Sequence, residues 1–353
     1  MVFDFLLLLE NPETDTGLAR VSRVITQSLS EMNLSFVILS LDPFEIRREF
    51  SSKRFLNGGI VYTNLKEYLS YLQEFQFRNL LINVNPYVLI PDFEKIFALK
   101  QKKFFKLWGY LALEESISKE KLKPILSNFD YKFCYLEKDT DLGFQKAIPN
   151  PLSPLSDERR IEKDIDILIV GSNRLRKDLI RSFEILIELE KRFPSLKSVL
   201  VSNSLYSELR LFEYFKQLKN IRFYQFPINQ ELLSYLYKSS RFVLSTSLAE
   251  GWGYSFFEGI QNDCLPIAPL NSSFLEFEKK GFNFVKLELS DEKAPTYYGF
   301  EKRVALKESV EKISYYLERP IKEEYLRKNK ELIKQYSWDK VLEIWKETFK
   351  NGV

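Results

Sequence analysis

Short apolar runs alternate with longer amphipathic stretches along the whole chain. The first run, Phe3–Leu9, precedes a polar loop and a stretch from about Leu18 to Met32 with apolar residues at helical spacing. Further runs in the first half predict strands at Phe36–Leu41, Gly59–Tyr62, Leu80–Asn83, Phe104–Tyr110 and Tyr131–Leu136, and helices at Tyr68–Phe75 and Ser116–Leu126. This alternation indicates an α/β domain with a mainly parallel sheet.

The segment Ile148–Asp157 interrupts the alternation with three prolines and is typical of a linker. After it the pattern restarts, with strands at Asp166–Val170, Ser198–Ser202, Ile221–Phe226, Phe242–Thr246 and Leu265–Pro269, and helices at Leu179–Arg192, Leu209–Leu218, Glu231–Ser239 and Tyr254–Asn262. A mostly helical segment, Lys307–Lys350, closes the chain. We therefore predict two α/β domains, 1–152 and 153–336, whose ligand-binding sheet edges face one cleft.

The composition excludes several kinds of chemistry. The chain of 353 residues contains no histidine, which excludes a histidine general base, a Ser–His or Cys–His nucleophile and a histidine-ligated metal. The net charge of +3 argues against a dedicated nucleic-acid-binding surface. Any chemistry must use carboxylates, cations, backbone amides or a cofactor, and we expect neither a metal site nor a permanently bound cofactor.

Two features bear on where the protein acts. The run FDFLLLL is too short to span a membrane and lacks a basic leader, and the two cysteines form no disulfide pattern, so we expect a cytoplasmic protein. Residues 46–55 and 99–110 combine basic and aromatic side chains. Such stretches are typical of solvated faces with buried rings, and they also allow peripheral contact with an anionic membrane or a lipid-linked acceptor.

The most informative motif is LAEGWGYSFFEG, residues 248–259, at a predicted strand-to-helix junction. Gly251 and Gly253 let the backbone approach a ligand, and the start of the helix favours a phosphate. Glu250 precedes the helix and Glu258 lies about one turn inside it, where a carboxylate can accept hydrogen bonds from sugar hydroxyls. The spacing alone is also compatible with a plain acidic helix start, because short motifs recur by chance.

Residues 241–278 resemble the donor-binding segment of family 4 glycosyltransferases (glycosyl transferases group 1), which are retaining enzymes of the two-domain GT-B fold. Trp252 stands where Phe is usual in the family, and Cys264 where Gly is common. The resemblance implies that Glu250 faces the donor sugar or phosphate and that Glu258 binds the ribose. It also implies that the loop and the helix start bind the donor: Gly251, Trp252, Gly253, Tyr254 and Ser255.

A second match to the same family covers residues 167–186, ILIVGSNRLRKDLIRSFEIL. The family has a strand, Gly, Arg, a short loop and a Lys at a helix start. Gly171 and Lys177 fit this pattern, but Ser172 holds the usual Arg position, so either Arg174 or Arg176 is the candidate replacement. Cations at a helix start suit a pyrophosphate leaving group, whose developing negative charge needs stabilisation.

Three weaker matches lie elsewhere. In DTGLARVSRVI, residues 15–25, Gly17 would approach the donor and Arg20 would meet a phosphate on the acceptor side. Residues 83–116 resemble segments of some family members in which an aromatic strand ends in a carboxylate, which makes Glu114 an acceptor-side candidate. The closing stretch, about 337–353, resembles the family's last helix, which packs back onto the first domain.

The resemblance implies a retaining glycosyltransferase that moves a hexose from a UDP- or GDP-type sugar to an acceptor hydroxyl. The acceptor is open between a glycan, a lipid-linked sugar and a protein. Two alternatives remain at this point: a nucleotide-sugar epimerase on the same fold, and a non-catalytic nucleotide-sugar-binding protein. A dehydrogenase is disfavoured, because no G-x-G-x-x-G follows the first strand of either half.

Overall fold

The chain forms two compact units, one of Met1–Ser153 with Gln335–Val353 and one of Pro154–Lys334. The computed structural model describes residues 2–10, 12, 16–41, 54–55, 58–63, 68–83, 92–113, 119–154, 161–205, 209–296 and 299–352. Each unit is built around its own sheet, with helices on the connections between strands. The predicted alternation of strands and helices is confirmed in both halves of the chain.

The first unit contains an eight-stranded sheet in the order β3-β4-β2-β1-β5-β6-β7-β8. Neighbouring strands are parallel except for β3 and β4. The strands are β1 Val2–Leu9, β2 Phe36–Leu41, β3 Arg54–Phe55, β4 Gly58–Thr63, β5 Gln76–Asn83, β6 Lys106–Leu111, β7 Tyr131–Cys134 and β8 Lys146–Ala147. The helices are α1 Gly17–Glu31, α2 Tyr68–Glu74, α3 Phe93–Lys103, α4 Lys119–Leu126 and the final helix, Trp338–Lys350.

The central strand β1 explains why this sheet is covered by helices. Its residues from Phe5 to Leu9 are fully buried, since β1 pairs with β2 on one side and β5 on the other. Strands of parallel sheets are buried on both faces and therefore read as continuous apolar runs. The final helix lies on the same unit, where Phe349 packs on Phe5 with ring centroids 5.1 Å apart and Trp345 packs on Tyr110 at 4.9 Å.

The second unit contains a six-stranded, entirely parallel sheet in the order β11-β10-β9-β12-β13-β14. The strands are β9 Ile165–Val170, β10 Ser198–Ser202, β11 Ile221–Gln225, β12 Ser240–Leu244, β13 Leu265–Pro269 and β14 Val285–Leu287. An antiparallel hairpin, β15 Leu289–Pro295 with β16 Phe300–Val304, follows. The helices are α5 Leu179–Arg192, α6 Leu209–Phe215, α7 Gln230–Lys238, α8 Tyr254–Gln261, α9 Ser272–Lys279, α10 Leu306–Leu317 and α11 Glu323–Ile333. In this numbering the final helix is α12.

The strand order of the second sheet determines where a ligand can bind. The first strand of the unit, β9, lies beside its fourth strand, β12, and successive strands extend outward from this pair in opposite directions. In an open parallel sheet, the crevice at the carboxyl ends of such a strand pair is the preferred ligand site. The loops after β9 and β12 carry the two strongest sequence motifs, so the fold brings these motifs to one edge.

The region 93–111 differs from the prediction. Helix α3 was not predicted, and the strand expected from Phe104 begins at Lys106, because Phe104 ends the helix in the left-handed region with φ of 55°. Lys100 and Lys103 belong to the last turn of α3, where positive charge is favourable. Lys103 donates to the carbonyl of Phe75 at 2.9 Å, so the side chain of this lysine also caps the C-terminal end of α2. The other basic stretch, 46–55, lies outside the described residues except for the backbone of β3.

Two shorter differences have local causes. The predicted helix Ser116–Leu126 is described only from Lys119, since its first residues lie outside the described part of the chain. The hairpin β15–β16 was not predicted, because LSDEKAP has the composition of a charged loop. Its strands depend on pairing with each other, and such pairing leaves no strong periodic signal in a charged segment.

Candidate functional site

The loops after β9 and β12 are joined by hydrogen bonds. The backbone N–H of Leu248 donates to the carbonyl of Arg176 at 2.7 Å, and Oγ1 of Thr246 donates to the carbonyl of Asp178 at 2.9 Å. Thr246 also shares a hydrogen bond of 2.7 Å with Ser182 in α5. The two sequence motifs are therefore parts of one structure at the carboxyl edge of the sheet.

Glu250 lies at the centre of this structure. Its side chain is buried, with 4% of the residue exposed. Arg176 Nη1 lies 2.9 Å from one carboxylate oxygen, and Lys177 Nζ contacts the other. Ser247 Oγ donates to the same oxygen as Lys177, at 2.8 Å. Two cations thus converge on one carboxylate, which leaves the group with one positive charge in excess.

The charge state of Glu250 follows from these contacts. Burial by itself would raise the pKa of the carboxyl group, but the charges of Lys177 and Arg176 and the hydrogen bonds from Lys177 and Ser247 lower it to about 2. Opposite charges within a few ångströms favour the ionised form. Glu250 is therefore a carboxylate at neutral pH, and it pairs with both Lys177 and Arg176.

The loop from Gly251 to Gly253 leads directly into α8. Gly253 caps the helix in the left-handed region with φ of 80°, and a Cβ atom there would lie 3.3 Å from the ring of Phe274. Glycine is the residue that adopts this conformation without strain. Since Gly253 has no side chain to cap the helix, the first N–H groups of α8, at the partly exposed Tyr254 and Ser255, suit an anionic ligand.

The side chain of Trp252 is buried beneath the loop that it belongs to. Its indole is 4% exposed and packs against Phe257 and Phe277, with ring centroids 5.0 and 5.7 Å away. The ring is part of the aromatic core beneath the loop.

Glu258 lies in the second turn of α8 and is partly exposed. The hydroxyl of Tyr237 in α7 donates to Oε2 of Glu258 at 2.7 Å. Tyr237 is itself 2% exposed, so its ring is fixed by packing. A buried tyrosine thus orients the carboxylate that the resemblance assigns to a ribose. Sequence reasoning did not identify Tyr237, because its distance along the chain from Glu258 leaves no local signal.

The structure distinguishes Arg174 from Arg176, which the sequence left as alternatives. Arg176 is 7% exposed and pairs with Glu250, whereas Arg174 is exposed and lines a cavity on the other side of its loop. Gly171 lies beside Lys177, since a Cβ atom at Gly171 would be 3.7 Å from the Cδ atom of that lysine. A small residue here leaves the Lys177 side chain room to turn towards a ligand.

Two of the candidates in the first unit, Gly17 and Arg20, lie at the start of α1. Gly17 is the first residue of α1, directly after the capping residue Thr16, whose Oγ1 accepts from the N–H of Ala19 at 3.1 Å. Arg20, in the first turn of α1, is 6% exposed, so its side chain is largely buried within the unit. Helix α1 also packs on α12, with contacts at the last turns of α1, where Trp338 Nε1 donates to Gln27 at 2.8 Å. Glu114 lies outside the described residues.

The described residues contain no group of three or more histidine, cysteine, aspartate or glutamate side chains arranged to hold a metal ion. Within the same part of the chain, no helix is long and apolar enough to cross a membrane.

Comparison with known proteins finds similarity at the level of structure. No protein-family model matches the sequence, and no curated protein sequence matches it. A sucrose-phosphate synthase from Thermosynechococcus elongatus superposes with a TM-score of 0.73 at 13% identity, over 98% of each chain. A UDP-forming trehalose-phosphate synthase from Burkholderia xenovorans gives a TM-score of 0.65 at 11% identity, over 99% of this chain and 98% of that one.

A third similar structure is the pneumococcal O-GlcNAc transferase GtfA in complex with UDP and GlcNAc. It superposes with a TM-score of 0.59 at 15% identity, over 80% of this chain and 59% of that one. At these identities the comparisons show the fold. The chain has the α/β GT-B architecture of two Rossmann-like domains, as the sequence predicted.

Proposed function

We propose that this protein is a retaining glycosyltransferase that transfers a hexose from a nucleotide-diphosphate sugar to an acceptor hydroxyl. The observation that carries the proposal is the group formed by Lys177, Arg176 and Glu250 at the central edge of the second sheet. Its residues come from two motifs 73 positions apart in the chain. A buried group with excess positive charge, beside a glycine loop and an uncapped helix start, suits a diphosphate.

Each part of the site has a role in this proposal. Lys177 turns from Glu250 towards the diphosphate and neutralises charge on the leaving group, while Arg176 remains with Glu250. The backbone from Gly251 to Gly253 and the start of α8 position the phosphates. Glu258 accepts hydrogen bonds from the ribose hydroxyls. Arg174 is not needed for this arrangement, since its side chain faces a separate cavity.

Retention of configuration is supported by the composition of the chain. The sequence has no histidine, which argues against an inverting transferase of this fold that relies on a histidine base to activate the acceptor. In a front-face reaction the leaving phosphate takes the proton of the acceptor hydroxyl. The acceptor is a glycan, a lipid-linked sugar or a protein, and a cytoplasmic enzyme with peripheral contact at a membrane would reach any of these.

The first test is the thermal stability of the purified protein with UDP-, GDP- and ADP-sugars. Binding to the folded state raises the melting temperature, by about 5–10 °C when the ligand is at 100 times its Kd. UDP-sugars are the first choice, since one similar structure is UDP-forming and another holds UDP. We expect a shift with one nucleotide family, and product analysis with and without acceptor then separates a transferase from an epimerase.

Glu258→Ala is expected to weaken nucleotide binding by at least about tenfold, because charge-assisted hydrogen bonds to the ribose are lost. The control is Glu323→Ala, which removes an exposed glutamate from α11 of the same unit. Titration calorimetry with the nucleotide that shifts the melting temperature gives both dissociation constants. Unchanged affinity in Glu258→Ala, or no shift with any nucleotide in the wild-type protein, contradicts the proposal.

Tyr237→Phe is expected to weaken nucleotide binding by about threefold to tenfold, because Glu258 loses the hydrogen bond that orients it. The control is Tyr235→Phe, the same substitution at a 46% exposed position of the same helix. Titration calorimetry on the three proteins tests this. Equal affinities would show that the Tyr237 hydroxyl serves packing alone.

A further inference from the structure

A second cationic site lies in the same unit, on the other side of the loop that carries Lys177. A cavity of about 240 Å³ is lined by residues 173–175, by the start of α5, by α6 and by the hairpin β15–β16. Four cationic side chains line it: Arg174, Arg210, Lys293 and Arg303. Neither Lys177, Glu250 nor Glu258 is among the lining residues, so this cavity is separate from the proposed donor site.

The two carboxylates among the described lining residues, Asp178 and Glu292, are already paired. Asp178 receives two hydrogen bonds of 2.8 Å from the buried Arg303, through Nε and Nη2. Glu292 receives a third hydrogen bond from Arg303, at 2.7 Å, and also contacts Arg181. Beneath the cavity, Glu184 lies 3.1 Å from Arg181. These three carboxylates and two arginines form one closed ionic network in the cavity wall.

Three cations remain outside that network. Arg174, Arg210 and Lys293 are exposed and form no salt bridge with any residue in the described ranges 161–205, 209–296 and 299–352. The nearby Asp291 pairs with Lys302 at 2.8 Å. Among the described residues that line the cavity, four side chains are cationic and two are anionic, a surplus of two positive charges. Convergence of unpaired like charges is unfavourable unless an anion joins them.

We propose that this cavity binds the dianionic phosphate of a small molecule, independently of the nucleotide sugar. A phosphate monoester carries close to two negative charges at neutral pH, and arginine guanidinium groups bind its oxygens in pairs. The cavity is just smaller than the roughly 300–1,000 Å³ of most small-molecule sites, which suits one phosphate group with a small substituent. Free phosphate and the phosphate of a sugar share this chemistry.

The ionic network holds the residues around the cavity in fixed positions, and this makes such a phosphate site selective. Arg303 is fully engaged with Asp178 and Glu292, so it holds the hairpin against the start of α5 and sets the distance of Lys293 from Arg174. Asp178 adopts the left-handed region with φ of 46°, a conformation that a non-glycine residue keeps only when its surroundings hold it. The cations at the rim are thereby placed before a ligand arrives, which lowers the entropy lost on binding.

The test uses titration calorimetry and melting temperature at pH 7.5 and constant ionic strength, with inorganic phosphate, glucose 6-phosphate and glucose as probes. The test variant is Arg210→Gln with Lys293→Gln, and its matched control is Arg327→Gln with Lys279→Gln, two exposed cations elsewhere in the unit. We expect a phosphate-bearing probe to bind the wild-type and control proteins, and the Kd to rise at least about tenfold in the test variant. Glucose should not bind.

The probes distinguish the sources of the phosphate. Tighter binding of glucose 6-phosphate identifies a sugar phosphate as the ligand, and equal binding identifies free phosphate. The nucleotide that shifts the melting temperature should bind the test variant with unchanged affinity. A loss of nucleotide binding there would overturn the separate site. Two further results would overturn the phosphate site, whether or not a nucleotide binds. One is the absence of phosphate binding in the wild-type protein, and the other is equal phosphate affinity of the wild-type protein and the test variant.

Discussion

Lys177→Ala is expected to lower kcat by about 10²–10³-fold, the usual cost of removing one group that stabilises charge in a transition state. Lys177 is 17% exposed at its side chain, contacts Glu250 and borders the open space beside Gly171. It is therefore the cation of the site that can turn towards a ligand, whereas Arg176 is held by both Glu250 and the carbonyl of Ala249. Charge on a leaving diphosphate grows during the reaction, so kcat should fall more than donor affinity.

Steady-state kinetics with the identified donor and acceptor measure the effect of Lys177→Ala. The matched control is Lys279→Ala, an exposed lysine in the last turn of α9 of the same unit. Circular dichroism must show that both variants are folded, because Lys177→Ala also removes a charge partner of Glu250. A folded Lys177→Ala variant with kcat within about twofold of the wild type would remove Lys177 from the transition state, since a lost interaction there costs far more.

Glu250→Gln is expected to destabilise the second unit by about 3 kcal/mol at pH 7, because it leaves two cations with a neutral partner in a buried site. The pKa of Glu250 is about 2 in the folded protein, against 4.5 as the ordinary value. A lowered pKa means that the ionised group stabilises the fold above about pH 4.5, and that this contribution disappears as the pH falls towards 2. A shift of about 2.5 pH units corresponds to about 3 kcal/mol.

Urea unfolding at pH 7 and pH 3 tests the effect of Glu250→Gln on stability. The difference in unfolding free energy from the wild type should fall from about 3 kcal/mol at pH 7 to about 1.5 kcal/mol at pH 3. Other carboxylates titrate equally in both proteins, so the difference isolates Glu250. The control Glu162→Gln, at an exposed position of the same unit, should change stability little at either pH. A difference independent of pH would contradict the ionic role of Glu250.

Much of the fold could be predicted because its signals are local. Helix α5 and strands β10 and β13 have the bounds that periodicity predicted, since a buried parallel strand reads as an apolar run and an amphipathic helix shows a period of 3.6. Helix α3 and the hairpin β15–β16 were missed because charged residues dominate both. Their stability comes from packing and pairing with segments distant in sequence.

The candidate site, like the fold, was predicted in part from local sequence and in part depends on the tertiary structure. The sequence singled out Lys177 and Glu250 separately, each from its own strand-to-helix motif. Their contact depends on β9 lying beside β12, and strand order is a property of the assembled sheet. Local sequence could not decide whether Arg174 or Arg176 joins them, because both lie on one short loop. The left-handed Asp178, held by Arg303 from the hairpin, determines how that loop turns.

The sequence by itself therefore determined the α/β class, the elements that carry the motifs and the absence of histidine chemistry, since these depend on residue type and short-range pattern. Only the tertiary structure decided that Arg176 pairs with Glu250, that Trp252 belongs to the core and that Tyr237 orients Glu258. It also decided that Arg174, Arg210 and Lys293 line a second cavity. Each of these depends on which strands and helices become neighbours, and that choice is made by burial of the whole apolar surface.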